Sequence, residues 1–413
     1  MEKQVIQQVL LEQKETFGKT IKLVKRIYPE TIFKTQKIIA ITGIRRCGKS
    51  TLLKEISSRY EDYGYVNFED ERFLDFTYKD FNTLLEAFLG ISPKVKTFFF
   101  DEIQTINGWE KFVRRLFTEG YKIYVTGSNA SLLSSEIATS LTGRNLKIEL
   151  FPFSFKEYLT YKDFPHKKVY TTTEKAQLSK LLEDYLAYGG FPEVIETQNN
   201  EELNEIYQDI IIKDLLVRLK IKDTKDFREL ALYLLSNICG KISYNNLKAL
   251  LNFSNTSKVK NYVEYLSEAY MFFTLLKYDP SLKKQIINNR KVYAIDTGII
   301  NAVAFQFSKN TGKLMENLVF IELKRRHKNL FYYGGKKECD FLIKEGTKIT
   351  GAIQVAETIA DVKTREREIE GLVEAMERYK LKQGLIITAD SEAGIIRNNK
   401  KINVVPLWKW LLE

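Results

Sequence analysis

The chain has 413 residues, more than one ordinary core accommodates, so two or three domains are expected. Apolar residues make up 44% and aromatic residues 13%, which excludes a disordered or low-complexity protein. The 64 Lys and Arg outnumber the 53 Asp and Glu, and the net charge of +11 favours a polyanionic partner such as nucleic acid or an acidic membrane surface.

Cys47, Cys239 and Cys339 are scattered, and His166 and His327 lie far apart, so neither a disulfide framework nor a Cys/His zinc site is supported. The opening Met-Glu-Lys-Gln-Val lacks a basic stretch leading into an apolar core, and nowhere do roughly 18 apolar residues run together. A reducing, cytoplasmic setting without a membrane partner is expected.

Residues 1 to 36 alternate charged and apolar positions at helical spacing and are expected to pack onto the domain that follows. The stretch Lys37 to Leu53 then reads as a buried strand, a loop with glycine at both ends, and a helix. Within it Gly43-Ile-Arg-Arg-Cys-Gly48-Lys49-Ser50 follows the pattern G-x-x-x-x-G-K-S in the strand-turn-helix setting that gives this motif its meaning. Gly43 and Gly48 let the backbone wrap a phosphate chain, Lys49 reaches the β- and γ-phosphates, and Ser50 holds Mg²⁺. The expected phosphate contacts are Gly43, Arg45, Arg46, Cys47, Gly48, Lys49, Ser50 and Thr51.

The run Lys96-Thr-Phe-Phe-Phe-Asp101-Glu102 reads as a strand buried on both faces that delivers two carboxylates to the sheet edge carrying the phosphate loop. Asp101 is assigned to Mg²⁺ through its water shell, and Glu102 to polarising the attacking water. A third strand, Lys122 to Gly127, ends in Ser128 and Asn129, either of which could orient that water. A helix is expected from Ala130 to Leu141 and a strand from Leu146 to Leu150. Arg144 stands between them, where a ring-forming nucleotide hydrolase offers an arginine to its neighbour's γ-phosphate. Arg114 and Arg115 are weaker candidates.

From Pro152 the pattern turns helical, with a stretch Glu174 to Tyr188 that stops at Gly189-Gly190-Phe191-Pro192 and another from Glu201 to Leu219. Between Thr224 and Asp279, three helices around the turn Asn252-Phe253-Ser254 suit a helix-turn-helix, with the strands Met271 to Tyr278 and Lys291 to Ile295 as a wing. Its third helix would bring Ser257, Lys258 and Lys260 toward DNA. From Gly312 the order changes again: Glu316 on a helix, Asp340 on a strand and Gln354 on the next follow the order of a metal-dependent nuclease core. Such a core needs Glu-x-Lys at the last strand. Gln354 and Ala356 stand there instead, and alanine cannot replace an ammonium, so a degenerate, non-cutting site is expected.

Taken together, these residues resemble a group of prokaryotic, largely archaeal, AAA+-type ATPases with a C-terminal restriction-endonuclease-like domain. The resemblance rests on Gly43 to Thr51, Phe98 to Trp109, Thr126-Gly-Ser-Asn, Leu141-Thr-Gly-Arg with Pro152-Phe-Ser-Phe, Tyr188-Gly-Gly-Phe-Pro, Tyr293-Ala-Ile-Asp-Thr-Gly, and Glu316-Asn with Glu338-Cys-Asp-Phe. It implies an α/β fold: a P-loop AAA+-type ATPase core over 1–151, a helical lid over 152–223, a winged-helix domain over 224–300 and a restriction-endonuclease-like α/β domain over 301–413. It also implies ATP and Mg²⁺ as cofactors and a homo-oligomer acting on DNA. Two other uses of ATP remain open: a nucleotide-gated switch that recruits protein partners, and an ATP-dependent nuclease.

Overall fold

The computed structural model describes residues 1–19, 22–130, 143–305, 310–327 and 329–413. They form two compact units, Met1–Pro152 with Glu268–Tyr270, and Phe153–Ser267 with Met271–Glu413. Apart from Glu268–Tyr270, the three expected segments after Pro152 share the second unit, and the expected boundary at residue 300 falls inside the helix Thr297–Val303. The expected helix from Ala130 to Leu141 lies, beyond Ala130, outside the described residues.

The first unit is built on a five-stranded parallel sheet of β1 (Ile38–Gly43), β2 (Gly64–Asn67), β3 (Thr97–Asp101), β4 (Lys122–Gly127) and β5 (Asn145–Leu150), in the order β2-β3-β4-β1-β5. Helices cover both faces, so each central strand must be apolar on both sides. In β3, Phe98 and Phe100 face one way, with Phe98 against Phe88 at 5.2 Å between ring centroids and Phe100 against Phe112 at 5.7 Å. Phe99 faces the other way and stacks on Tyr124 at 4.8 Å. The N-terminal helix Lys3–Gly18 buries Ile6, Val9 and Leu10 in the first of these clusters, and Gln13 is tied by its side chain to Asn67 and Asp70. Packing of residues 1 to 36 onto the domain was the expectation.

In the second unit the helix Thr172–Tyr188 starts with a reciprocal cap between Thr171 and Glu174 and ends at Gly189. Helix Asn200–Asp209 runs into a wider-wound turn, Ile210–Val217. Helix Thr224–Ser236, β6 (Lys241–Ile242), helices Tyr244–Leu250 and Thr256–Glu268, β7 (Phe272–Leu276), helix Leu282–Ile287 and β8 (Arg290–Ala294) follow in turn, and the three strands pair antiparallel in the order β6-β8-β7. A six-stranded mixed sheet completes the chain. It contains β9 (Leu330–Gly334), β10 (Glu338–Glu345), β11 (Lys348–Val355), β12 (Gln383–Thr388), β13 (Ala393–Arg397) and β14 (Lys400–Pro406), in the order β13-β14-β12-β11-β10-β9. The helix Val362–Arg378 covers it with Ile369, Leu372, Val373 and Met376, the stripe that its periodicity predicts.

One buried acid joins two motifs that lie a hundred residues apart. Asp296 caps the helix Thr297–Val303 through the amides of Gly298 at 2.8 Å and Ile299 at 3.4 Å, and accepts from the Gly190 amide at 2.8 Å. A β-carbon on Gly189, where φ is +74°, would fall 1.8 Å from Asp296 Oδ1, so this approach admits only glycine. Burial raises the Asp296 pKa to about 6 despite those amide bonds. The folded state therefore holds a proton that the unfolded chain releases from about pH 4 upward. Unfolding free energy is expected to fall by up to ~3 kcal/mol between about pH 4 and pH 6 from this group. Urea unfolding across that range should show the fall flattened in Asp296→Asn, and an unchanged slope would exclude Asp296 as its source.

Candidate functional site

In the first unit β1 is flanked by β4 and β5, and β4 separates it from β3. All five strands are parallel, so the loops after β1, β3 and β4 emerge at one edge. That edge gathers the phosphate-loop residues, Asp101 with Glu102, and Ser128 with Asn129. Gly48 adopts φ +96° at the start of the helix Lys49–Ser57, whose first amides point into the loop. The buried Lys49 donates to the carbonyls of Gly43 and Ile44, both at 3.3 Å, and its Nζ lies 3.1 Å from Glu102 Oε1.

The two carboxylates sit in different surroundings. Asp101 is fully buried and accepts from Thr126 and Ser50, and from the Tyr65 hydroxyl at 3.3 Å. Burial raises its pKa, helped by the neighbouring Glu102 charge. Burial acts on Glu102 in the same sense, but Lys49, Gln104 and Arg45 outweigh it and hold this carboxyl below its ordinary value. One Glu102 oxygen thus meets Lys49 and the other takes the Gln104 amide, while its backbone N–H bonds Thr126 at 2.8 Å. Glu102 also adopts φ +49° and ψ +41°, a left-handed conformation that strains a side-chain-bearing residue and re-aims its carboxylate at the end of β3.

Three contributors here went unread in the sequence. Thr126 bridges both acids, and Gln104 clasps Glu102 while its own Oε1 is buried with no partner among the described residues. The buried Arg26 donates to the Cys47 carbonyl at 2.9 Å and the Phe151 carbonyl at 2.6 Å, bracing the phosphate loop from behind. Among the flagged residues Cys47 is buried, its sulfur 3.4 Å from the Leu150 carbonyl, and Arg45 pairs with Glu69. Arg144 lies at the opposite end of the sheet: its carbonyl accepts from Ile38, the first residue of β1, at 2.9 Å, and its exposed guanidinium lies 5.9 Å from the Phe117 ring. It cannot serve the site of its own chain.

In the second unit Glu316, Asp340 and Gln354 do converge, but around a lysine that the sequence did not single out. Lys291 on β8 is 3% exposed, and its Nζ lies 2.9 Å from Glu316 and 2.8 Å from both Glu338 and Asp340. Tyr293, two residues along the same strand, donates to Glu316 at 2.7 Å. Burial alone would lower the lysine's pKa, yet Tyr293 and the three acids raise it well above the ordinary value. Gln354 accepts from the Asp340 amide at 3.1 Å and donates to Glu368 at 2.6 Å, so its side chain is committed. Among the described residues no group of three or more His, Cys, Asp or Glu is arranged to hold a metal ion.

Of the three residues assigned to DNA, Ser257 and Lys260 are exposed. Lys258 instead binds Asp223 at 2.8 Å and Asp226 at 2.7 Å, with the rings of Phe253 and Tyr262 beside it, so it holds two helices together. No helix among the described residues is long and apolar enough to cross a membrane.

Residues 35–159 match the family described as AAA domain, and residues 179–310 and 311–410 match two domains of unknown function, DUF8612 and DUF4143. An uncharacterized protein of Methanocaldococcus jannaschii, MJ1544, is 41% identical over 397 residues, covering 91% of this chain and 88% of its own length. The chain belongs to the family of that protein. An uncharacterized protein of Haemophilus influenzae is 30% identical over 370 residues, covering 84% of this chain and 88% of that protein. A solved structure of the replication initiator DnaA bound to AMPPCP and single-stranded DNA has 17% identity and a TM-score of 0.27, covering 58% of this chain and 85% of that one. The fold is thus the parallel α/β core of P-loop AAA+ ATPases, joined to a helical region and a separate C-terminal sheet domain.

Proposed function

We propose that this protein hydrolyses ATP in a Mg²⁺-dependent reaction, as a homo-oligomer, and couples turnover to DNA. The observation that carries this reading is the Lys49–Glu102 pair, set at one sheet edge beside Asp101 and Thr126. Ser50 and Asp101 present hard oxygen donors that already share a hydrogen bond, which fits Mg²⁺. When bound, the metal neutralises charge on the phosphate oxygens. Lys49 transfers from Glu102 to the β- and γ-phosphates as substrate enters, which frees Glu102 to accept a proton from the attacking water. With Lys49 withdrawn, burial pushes the Glu102 carboxyl up towards the range of a useful base, while Gln104 and Arg45 still favour its ionised form. Asn129, at the tip of β4 between the other two loops, orients the water or senses the γ-phosphate.

Arg144, at the far end of the strands, acts in trans on the adjoining subunit. The four helices and three strands of residues 224–294 are read as a winged helix with one added helix, Leu282–Ile287, between its last two strands; with Ser257, Lys260 and the net positive charge this supports DNA as partner. The C-terminal sheet domain is read as restriction-endonuclease-like, a reading supported by the convergence of Glu316, Asp340 and Gln354. With Lys291 among its acids and alanine at 356, it is assigned to binding, not to cutting.

Steady-state ATP turnover, measured with and without duplex DNA at low and high salt, tests the coupling. DNA should raise turnover, less so as salt increases. Arg144→Ala should lower turnover at least ~100-fold, in line with the effect of a trans arginine. Mixed with Glu102→Gln subunits, which keep their own arginine, it should regain activity. Indifference to DNA would favour a protein-recruiting switch, and failure to complement would remove Arg144 from the site.

A further inference from the structure

The first unit carries a second cavity that shares no residue with the nucleotide site. It has a volume of about 660 Å³ and is open to solvent. Phe81 and Phe112 line it, their rings stacked with centroids 4.3 Å apart. Tyr78, 63% exposed, stands on its rim with Lys79, Lys111 and Arg115.

No carboxylate lines this cavity, and among the described residues none of the three cations has a carboxylate partner. Arg115 is oriented instead by a 2.7 Å bond to Asn82 Oδ1, with its guanidinium 5.6 Å from the Phe112 ring. Some basic side chains of this unit find acids, as Arg45 does with Glu69 and Arg72 with Asp70, and others donate to carbonyls, as Lys122 does to those of Ile32, Thr35 and Lys37. Three unneutralised cations around an aromatic floor form a site for an anion that also carries a flat apolar group. A nucleic-acid strand is such a ligand, with phosphates for the cations and a base face for the rings. Bases paired in a duplex are stacked inside and cannot reach the floor, and an acidic peptide would leave the rings unused.

We propose that this cavity binds an unpaired nucleotide of a DNA strand, phosphates on Lys79, Lys111 and Arg115, base against the exposed Tyr78 ring above the packed Phe81–Phe112 floor. This rests on the DNA-coupled reading above and names where the strand is held. Asn107 and Gly108 line the cavity, and Gln104, a few residues earlier in the same short segment, clasps Glu102, so occupancy is read out in ATP turnover.

The test uses the full chain, a fluorescently labelled oligo-dT and a labelled duplex, with anisotropy titrations at several salt concentrations. Lys79→Ala with Lys111→Ala should weaken strand binding at least tenfold and reduce the log–log salt slope by about 1.4, from ~0.7 per lost phosphate contact. Tyr78→Ala should weaken it about tenfold, the size of one lost stacking partner. Both variants should keep basal ATP turnover and lose its stimulation by the strand. Wild-type binding that both variants retain, or that Lys260→Ala alone abolishes, would overturn the cavity while leaving the DNA reading intact. Loss in the lysine variant alone would reduce the cavity to a general anion surface and overturn base binding. Wild-type protein that binds neither strand nor duplex would overturn both.

Discussion

Glu102→Gln is expected to lower ATP turnover by at least ~100-fold while leaving nucleotide binding in place, and Lys49→Ala is expected to abolish both. The two losses differ because the residues touch different parts of the reaction. Lys49 is the one buried ammonium in the phosphate loop, held at the end of β1 and beside Glu102. Glu102 is aimed by a left-handed backbone and two side-chain partners, so glutamine keeps the size and position of the side chain while removing its proton-accepting charge and the ion pair with Lys49. Turnover and equilibrium binding of a fluorescent ATP analogue separate these outcomes. Because Lys49→Ala leaves the Glu102 carboxylate without its buried cation, a melting curve must accompany it. Unchanged turnover in folded Glu102→Gln would dismiss Glu102 as the base.

Lys291→Met should be the most destabilising single change in the second unit. It removes the shared cation and leaves the buried Asp340 facing the half-buried Glu316 without a counter-charge, while Glu338, 32% exposed, keeps Lys241; the loss is on the order of 3 kcal/mol. For a unit of this size the melting temperature should drop by roughly 10 °C. The effect should shrink at low pH, where the acids protonate. Burial already raises the Glu316 pKa to about 7, with Asp340 adding to it, and Lys291 opposes this rise. Combining Lys291→Met with Glu316→Gln and Asp340→Asn should recover much of the loss, because the repulsion disappears with the charges. A variant as stable as wild type at pH 8 would contradict the assignment of Lys291 as the internal cation of this cluster.

Local patterns were legible where the chain's own periodicity decides the structure. The apolar run Ile38 to Ile41, the two-sided Phe98 to Phe100 strand and the stripe Ile369, Leu372, Val373 and Met376 all appear where their spacing puts them. The placement of the phosphate loop beside Asp101 and Glu102 at one sheet edge was legible for the same reason, since these residues are contiguous with strand ends. The partners of those residues were not. Arg26, Thr126 and Gln104 are ordinary residues until the fold sets them against Cys47, Asp101 and Glu102.

By itself, then, the sequence determined the parallel nucleotide-type core, its three edge loops, and the acids of the C-terminal cluster, because strand and helix periods and motif spacing are short-range properties. Only the tertiary structure decided that Lys291, from a strand well before those acids, sits among them; that Lys258 serves two helices; and that Asp296 locks Gly189-Gly190. Each of these is an electrostatic pairing between distant segments, made worthwhile by burial. Burial is set by how the sheets and helices close on one another, which no local pattern records.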